Sequence, residues 1–151
     1  DKLPITVLRL FNLYGSGEML PRLAPTLIER ARNHQPIDLT GGEQIRDFVY
    51  VEDAAAVFWA AIQNPPMVGQ PRVLNVGTGQ GTQLRTFVET LAALLNERGL
   101  SPDLRFGTLP YRTGEAMHAV ANTDALKETF NGMHKFRTLH AGLKQFVEET
   151  L

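Results

Sequence analysis

Residues 72–99, RVLNVGTGQGTQLRTFVETLAALLNERG, decide the fold. Residues 72–76 form a mostly apolar run that predicts a strand, and the glycines of residues 77–81 predict a tight loop. Thr82 is expected to cap the following helix, whose apolar residues recur with a 3.6-residue period until Gly99 ends it. The expected inward positions are Leu84, Phe87, Val88, Leu91, Leu94 and Leu95. A strand joined to a helix in this way is typical of α/β proteins.

The same alternation runs back toward the N-terminus. Residues 5–11 are β-branched and nearly all apolar, which predicts a strand buried on both faces, as in parallel sheets. Residues 12–20 predict a glycine-bearing loop, and residues 21–32 predict a helix. The inward face of that helix is predicted to hold Leu23, Leu27, Ile28 and Ala31.

The middle of the chain predicts further strands and a second helix. Residues 36–39 are extended, residues 45–51 alternate as a strand, and Asp53 is expected to cap a helix that runs to about Gln63. Its expected inward positions are Val57, Phe58, Ala61 and Ile62.

The C-terminal third predicts shorter elements. Residues 104–106 are extended, residues 123–130 form a small helix stopped by Gly132, and Thr138 caps a last helix. That helix is predicted to turn Leu139, Leu143, Phe146 and Val147 inward, with Glu148 and Glu149 on a solvated face. The chain shows no linker long enough to divide two domains.

Composition excludes several classes of protein. The chain has 151 residues, 43% of them hydrophobic, a formal net charge of −1 and no cysteine. These values argue against disorder, a disulfide framework and a broadly basic surface for nucleic acid. No apolar run is long enough for a membrane helix, and the histidines lack metal-ligand spacing, so we expect a cytoplasmic protein without a metal site.

Residues 77–81 invite comparison with the dinucleotide fingerprint G-x-G-x-x-G. Thr82 stands where the last glycine is required, and the acidic residue about 20 positions on, Glu97, lies near the end of a helix. We therefore prefer a strand-to-helix turn over a small dinucleotide-binding domain. The loop can still line a ligand cleft, because the carboxyl ends of parallel strands do so.

Two arginines are candidate anion ligands. Arg46 and Asp47 interrupt an apolar strand and point to opposite faces. A buried arginine needs either an internal carboxylate or a ligand phosphate, and spacing alone does not separate the two. Arg112 lies in a loop, where a solvated arginine is the ordinary interpretation. Asn12 follows the first strand, as a turn residue or a ligand contact.

Four blocks occur in order across nearly the whole chain. They are V-L-R-L-F-N-L-Y-G-S-G (7–17), L-T-G-G-E-Q-I-R-D-F-V-Y-V-E-D (39–53), V-L-N-V-G-T-G (73–79) and P-Y-R-T-G-E (110–115). Together they resemble the C-terminal half of the extended short-chain dehydrogenase/reductase family, the NAD-dependent sugar-nucleotide epimerases and dehydratases. The last block most resembles the deoxysugar-synthase branch, which includes enzymes that act on CDP-linked or GDP-linked sugars. The resemblance implies the terminal strands of a Rossmann-like parallel sheet and a small mixed α/β substrate-binding subdomain.

The resemblance also implies roles for particular residues. Arg46 and Arg112 would clamp the diphosphate of a nucleoside-diphosphate sugar, and Asn12 would contact it. Leu20, Pro21 and Leu23 would begin the helix that flanks the nucleotide, and Asn75 would line the same cleft. Leu10 and Phe11, at the end of the first strand, would pass close to the nicotinamide.

The family's catalytic motifs are missing from these residues. Its chemistry needs a G-x-x-G-x-x-G loop for NAD or NADP and a Tyr-x-x-x-Lys pair, and neither occurs here. The family's A-D-x-S-K-A segment is also altered, to A-N-T-D-A-L at residues 121–126.

These departures define what we expect of residues 1–151. We expect the sugar-nucleotide-binding portion of an epimerase, dehydratase or reductase that works through a keto intermediate, with no catalytic residue and no tight cofactor binding of its own. The alternative is a non-catalytic nucleotide-binding or interaction module. In either case we expect another polypeptide, a second copy or a missing N-terminal half to cover the strands at residues 5–11 and 72–76.

Overall fold

The computed structural model describes residues 2–131 and 135–151. The strands are β1 (Thr6–Leu10), β2 (Asn12–Tyr14), β3 (Pro36–Leu39), β4 (Ile45–Arg46), β5 (Phe48–Tyr50), β6 (Arg72–Val76), β7 (Thr82–Gln83), β8 (Asp103–Phe106) and β9 (His118–Ala119). The helices are α1 (Leu23–Arg32), α2 (Val51–Gln63), α3 (Leu84–Glu97), α4 (Asp124–Thr129) and α5 (Leu139–Thr150). Within the described ranges, no helix is long and apolar enough to cross a membrane.

The strands form small sheets in which parallel pairing dominates. β1 pairs with β6, β2 with β5, and β3 with β8, all in parallel. β4 lies between β7, which is antiparallel to it, and β9, which is parallel. The parallel pairs join distant parts of the chain, as crossover connections through helices require.

Two hydrophobic clusters hold these layers together. The larger packs α1, α3 and α5 around β2, β3 and β5, and its fully buried members include Leu27, Leu91 and Leu143. The smaller packs α2 and α4 against one face of the β1–β6 sheet, through Val57, Leu74 and neighbours. The predicted inward residues of α3 and α5 lie in or against the larger cluster, which confirms the helical periodicity on which they rest. The exception is Leu84, which is partly exposed at the start of α3 and lies outside the cluster.

The β1–β6 sheet is covered on one face only. Leu74 is buried, whereas Val7 and Val73, which oppose each other on the other face, are 43% and 45% exposed. The prediction that residues 5–11 are buried on both faces is therefore wrong for this chain. The described residues place no helix or strand over that second face.

Helix α2 departs from its predicted start and inward face. It begins at Val51, and Asp53 lies inside the first turn, where its carboxylate accepts a hydrogen bond from the Arg137 backbone N–H at 2.7 Å instead of capping the helix. Phe58 and Ile62, expected inward, are 44% and 68% exposed. The helix therefore presents an apolar stripe to solvent as well as to the core.

Helix α3 also starts differently. Thr82 does not cap it, because Thr82 belongs to β7 and pairs with Arg46 of β4. A long-range strand pairing thus overrides a local capping signal. The predicted cap of α5 is confirmed, since the Thr138 hydroxyl accepts a hydrogen bond from the Ala141 N–H at 3.3 Å.

The two predicted segments around the central strands are divided more finely than expected. The first three residues of the expected loop at 12–20 form β2, and the expected strand at 45–51 is broken at Asp47 into β4 and β5. The small helix is present as α4, and the predicted stop at Gly132 lies outside the described residues.

Candidate functional site

A cleft of about 780 Å³ lies between α1, β3, the β4–β5 segment and the loop before β9. Asn12, Arg46 and Arg112 all line it. The fold therefore brings three residues predicted to bind one ligand to a single cavity, although Asn12 and Arg112 are a hundred positions apart in the sequence. The volume falls in the range that holds small organic ligands.

Arg46 owes its position to the residue that follows it. Asp47 is fully buried, and its carboxylate accepts hydrogen bonds from the backbone N–H groups of Thr78 and Gly79 at 2.9 Å. It also accepts one from the Ala121 N–H at 3.2 Å. Because neighbouring strand residues point to opposite faces, anchoring Asp47 on one side directs Arg46 into the cleft on the other.

Arg46 has an internal carboxylate partner. Its Nη2 lies 3.3 Å from Glu115 Oε1, and only 14% of its side chain is exposed. Gln44, itself buried, donates to the same oxygen at 3.1 Å, and the Arg112 N–H faces Glu115 Oε2 at 3.4 Å. Glu115 thus joins the segments that carry the two arginines. We did not predict Glu115 as a site residue, although it ends the P-Y-R-T-G-E block.

The loop that carries Arg112 is held to the opposite wall. The Tyr111 hydroxyl donates to Glu43 Oε2 at 3.3 Å and accepts from the Glu43 N–H at 3.4 Å. The guanidinium of Arg112 makes no hydrogen bond or ion pair to the described residues. It is therefore available to an anion in the cleft, beside the partly satisfied Arg46.

Of the other predicted residues, Pro21 and Leu23 line the cleft, and α1 begins at Leu23 and not at Leu20. The other four, Leu20, Asn75, Leu10 and Phe11, do not line it. Leu20 is 51% exposed, and Asn75 donates its side-chain N–H to the Asn122 carbonyl at 3.0 Å. Leu10 ends β1 with 43% of its side chain exposed, and the half-buried Phe11 follows it. Their implied contacts with sugar nucleotide and nicotinamide stay predictions.

The glycine loop at residues 77–81 is occupied by the protein itself. Successive N–H groups in such a loop form an anion-binding concavity, and here the Asp47 carboxylate fills it. A Cβ on Gly77 would lie 2.6 Å from Asp47 Oδ2, so that position has no room for a side chain. This arrangement supports the interpretation of the loop as a strand-to-helix turn. Its amides already donate to Asp47 and are not free to bind a phosphate.

A second polar network ties α5 to the rest of the domain. Glu149, predicted on a solvated face, accepts hydrogen bonds from the Ser16 hydroxyl, from Gln145 at 2.7 Å and from the Tyr50 hydroxyl at 2.9 Å. The Ser16 and Gln145 hydrogen bonds, followed by that from Tyr50, lower the pKa of Glu149. Burial, followed by the bond to Glu149, raises the pKa of Tyr50 to about 12. Glu149 is exposed, as the sequence predicts, and it accepts these hydrogen bonds in addition.

The walls of the cleft carry both apolar and polar side chains. Ile37 and Leu39 of β3 line it together with Asp38. Glu18, which pairs with Arg22 at 2.8 Å, lines it just before the start of α1. A mixed lining of this kind suits a ligand that has both apolar and polar parts.

Comparison with known proteins gives a consistent result. The model of the NAD dependent epimerase/dehydratase family matches residues 1–77. CDP-abequose synthase of Salmonella typhimurium is 33% identical over 121 residues, which cover 80% of this chain and 40% of that protein. A probable UDP-glucuronate 4-epimerase of Rhizobium meliloti is 27% identical, with 97% of this chain and 46% of that protein covered.

Solved structures share the fold across almost the whole chain. dTDP-glucose 4,6-dehydratase of Bacillus anthracis in complex with NAD matches with a TM-score of 0.79 and 26% identity, covering 97% of this chain and 44% of that chain. MoeE5 in complex with UDP-glucose and NAD matches with a TM-score of 0.77 and 26% identity, covering 96% and 46%. The chain spans less than half the length of these relatives. The predicted Rossmann-like α/β class is confirmed, and the chain belongs to the NAD dependent epimerase/dehydratase family.

Proposed function

We propose that residues 1–151 are the sugar-nucleotide-binding portion of an NAD(P)-dependent epimerase, dehydratase or reductase, and that the cleft binds a nucleoside-diphosphate sugar. The observation that carries the proposal is the convergence of Arg46 and Arg112 on one cavity. A diphosphate is a compact polyanion, and guanidinium groups recognise its oxygens bidentately.

The Arg46–Glu115 pair is compatible with this role. Within the described residues, the Arg46 guanidinium donates hydrogen bonds to the Ile45 carbonyl at 3.0 Å and to Glu115 Oε1 at 3.3 Å. A guanidinium has five N–H donors in a planar fork. The unused donors remain for a ligand while Glu115 fixes the plane of the fork, so the two interpretations of Arg46 are not exclusive.

The names of the relatives support the ligand class. CDP-abequose synthase, UDP-glucuronate 4-epimerase and dTDP-glucose 4,6-dehydratase differ in base and sugar but share a nucleoside diphosphate linked to a sugar. We infer the shared chemistry for this chain.

The described residues supply little toward NAD(P). The amides of Thr78 and Gly79 are engaged by Asp47, and Leu10 offers an exposed apolar contact at the end of β1. They do not by themselves fit a dinucleotide. The family is NAD-dependent. In this proposal, a sugar hydroxyl is oxidised to a keto intermediate only when residues outside 1–151 hold the cofactor.

A second candidate function is a binding or interaction module without hydride transfer. The open face of the β1–β6 sheet, with Val7 and Val73 exposed, favours contact with another polypeptide. Turnover by these residues alone, measured as NAD(P)H formation, would contradict both candidates, because neither assigns a catalytic group to this chain.

Isothermal titration calorimetry tests the cleft directly. The chain is titrated with UDP, CDP and dTDP, and Arg46→Ala and Arg112→Ala serve as variants. We expect at least one nucleotide to bind, and each substitution to weaken it about tenfold or more, as loss of a charge-assisted hydrogen bond does. Arg105→Ala, whose exposed partner is Asp103 outside the cleft, is the matched control and leaves binding unchanged. Absence of heat with all three nucleotides would overturn the proposal.

A further inference from the structure

Glu18 lines the cleft just before α1 with a carboxylate whose hydrogen-bonding capacity is only partly used. Its Oε1 lies 2.8 Å from Nε of Arg22, the residue just before α1. Its Oε2 is shielded from solvent and has no hydrogen-bond partner among the described residues. A carboxylate accepts about four hydrogen bonds. Most of the accepting capacity of Glu18 is therefore open.

Thr26, one turn into α1, repeats this feature on the same wall. Its hydroxyl oxygen, Oγ1, is also buried without a partner in the described part of the chain, and Thr26 also lines the cleft. Buried polar atoms without partners are rare, because each costs free energy that a hydrogen bond would recover. Two on one wall of one cavity point to a ligand that brings the missing donors.

The position of this wall selects the part of the ligand that meets it. At the far end of α1, the Arg30 Nη1 donates to the Pro36 carbonyl at 2.7 Å, next to the apolar strand β3. With a rise of 1.5 Å per residue, the start of α1 lies about 10 Å from Arg30 along the helix axis. If the end of the cleft at β3 takes the base and the arginines take the diphosphate, Glu18 and Thr26 face the sugar.

We propose that Glu18 and Thr26 form a hydroxyl-recognition subsite that selects neutral sugars and rejects acidic ones. The inference rests on the proposed function. Sugar hydroxyls donate to the Glu18 carboxylate, whereas the carboxylate of a uronic acid has no donor and repels it. The terminal torsion of a glutamate is soft, so the carboxylate can turn toward the cleft while it stays beside Arg22.

Arg22 sets the charge balance of the subsite. Its side chain is 62% exposed, whereas that of Glu18 is 14% exposed, so the carboxylate is the member that faces a bound ligand under weaker solvent screening. Removing the charge of Glu18 frees Arg22 to attract an acidic sugar. Removing the charge of Arg22 leaves Glu18 alone to repel one. The two substitutions are therefore expected to shift sugar selectivity in opposite directions.

Calorimetry with three ligands of one base tests this inference. The ligands are the free nucleoside diphosphate that binds best among UDP, CDP and dTDP, its glucose conjugate and its glucuronic acid conjugate. For the unchanged chain we expect the glucose conjugate to bind about tenfold more tightly than the glucuronic acid conjugate, as one screened like-charge contact predicts. Glu18→Gln narrows this ratio to about one or inverts it, and Arg22→Gln widens it.

A third variant and the free nucleotide keep the outcome interpretable. Thr26→Val preserves shape, removes the hydroxyl and should weaken only the glucose conjugate, by a few fold. The free nucleoside diphosphate should bind all variants alike, which shows that the cleft is intact. If it binds and Glu18→Gln leaves the sugar ratio unchanged, this inference is overturned while the proposed function stands. If no nucleotide binds the unchanged chain, both are overturned.

Discussion

Asp47 makes a prediction that links the fold to the cleft. Its fully buried carboxylate accepts backbone hydrogen bonds from Thr78, Gly79 and Ala121, and one from the Thr78 hydroxyl at 2.6 Å. The substitution Asp47→Ala removes all of these acceptors at once. The Ala121 N–H is buried and loses its partner entirely, whereas Gly79 is exposed and can turn to water.

The size of the effect follows from that difference. An orphaned buried N–H costs about 1–3 kcal/mol, and each partly solvated N–H adds less. We expect Asp47→Ala to lower the free energy of unfolding by about 3–5 kcal/mol, and Asp47→Asn, which keeps one oxygen but turns an amide donor toward the N–H groups, by about 2 kcal/mol. Because Asp47 directs Arg46, both variants should also weaken nucleotide binding.

Urea unfolding followed by circular dichroism measures the loss. Asp103→Ala is the control, because Asp103 is an exposed residue whose ion pair with Arg105 should contribute less than about 1 kcal/mol. A loss below 1 kcal/mol for Asp47→Ala would refute the claim that this carboxylate organises the glycine loop. Normal nucleotide affinity in a destabilised variant would refute the link to Arg46.

Three further predictions concern other parts of the molecule. Gly77→Ala should destabilise the fold by about 1–3 kcal/mol through overpacking against Ala121 and Asp47, as measured by urea unfolding; an unchanged midpoint would contradict the close packing. Because folding raises the pKa of Tyr50 from 10.0 to about 12, the stability that its neutral hydroxyl confers is complete below pH 10 and falls as the pH rises toward 12. Tyr50→Phe should reduce the fall in the free energy of unfolding between pH 10 and 12. The same fall in the variant and in the unchanged chain would contradict this role for the Tyr50 hydroxyl. Trp59, 62% exposed on α2, should promote concentration-dependent association in sedimentation velocity, and Trp59→Ser should reduce it; a monomer at all concentrations before substitution would contradict the prediction.

Local patterns predicted much of the fold. Helices α3 and α5 follow from apolar periodicity, and the Thr138 cap follows from its hydroxyl at the helix start. Thr82 carried a similar capping signal but pairs with Arg46 in a strand, because a contact distant in sequence outweighs a cap worth about 1 kcal/mol. Single-residue signals of this kind hold only where no distant segment competes.

The candidate site was also predictable only where local sequence patterns mark its residues. Arg46 and Arg112 were found through short motifs, and the structure brings both to one cleft. Asp47 and Glu115 escaped notice as organising residues, since their partners lie tens of positions away and nothing local marks the pairing. Glu18 could not have been singled out either, because an unpartnered carboxylate oxygen is a property of packing and not of sequence.

The most direct test of the account is a phosphate series. Calorimetry compares a nucleoside, its monophosphate and its diphosphate, all with the base that binds best, on the unchanged chain and on the double variant Arg46→Ala/Arg112→Ala. The account predicts that affinity rises steeply with each phosphate on the unchanged chain and that the double variant abolishes the rise. A diphosphate that binds the unchanged chain no more tightly than the nucleoside would contradict the claim that this cleft recognises a nucleoside diphosphate.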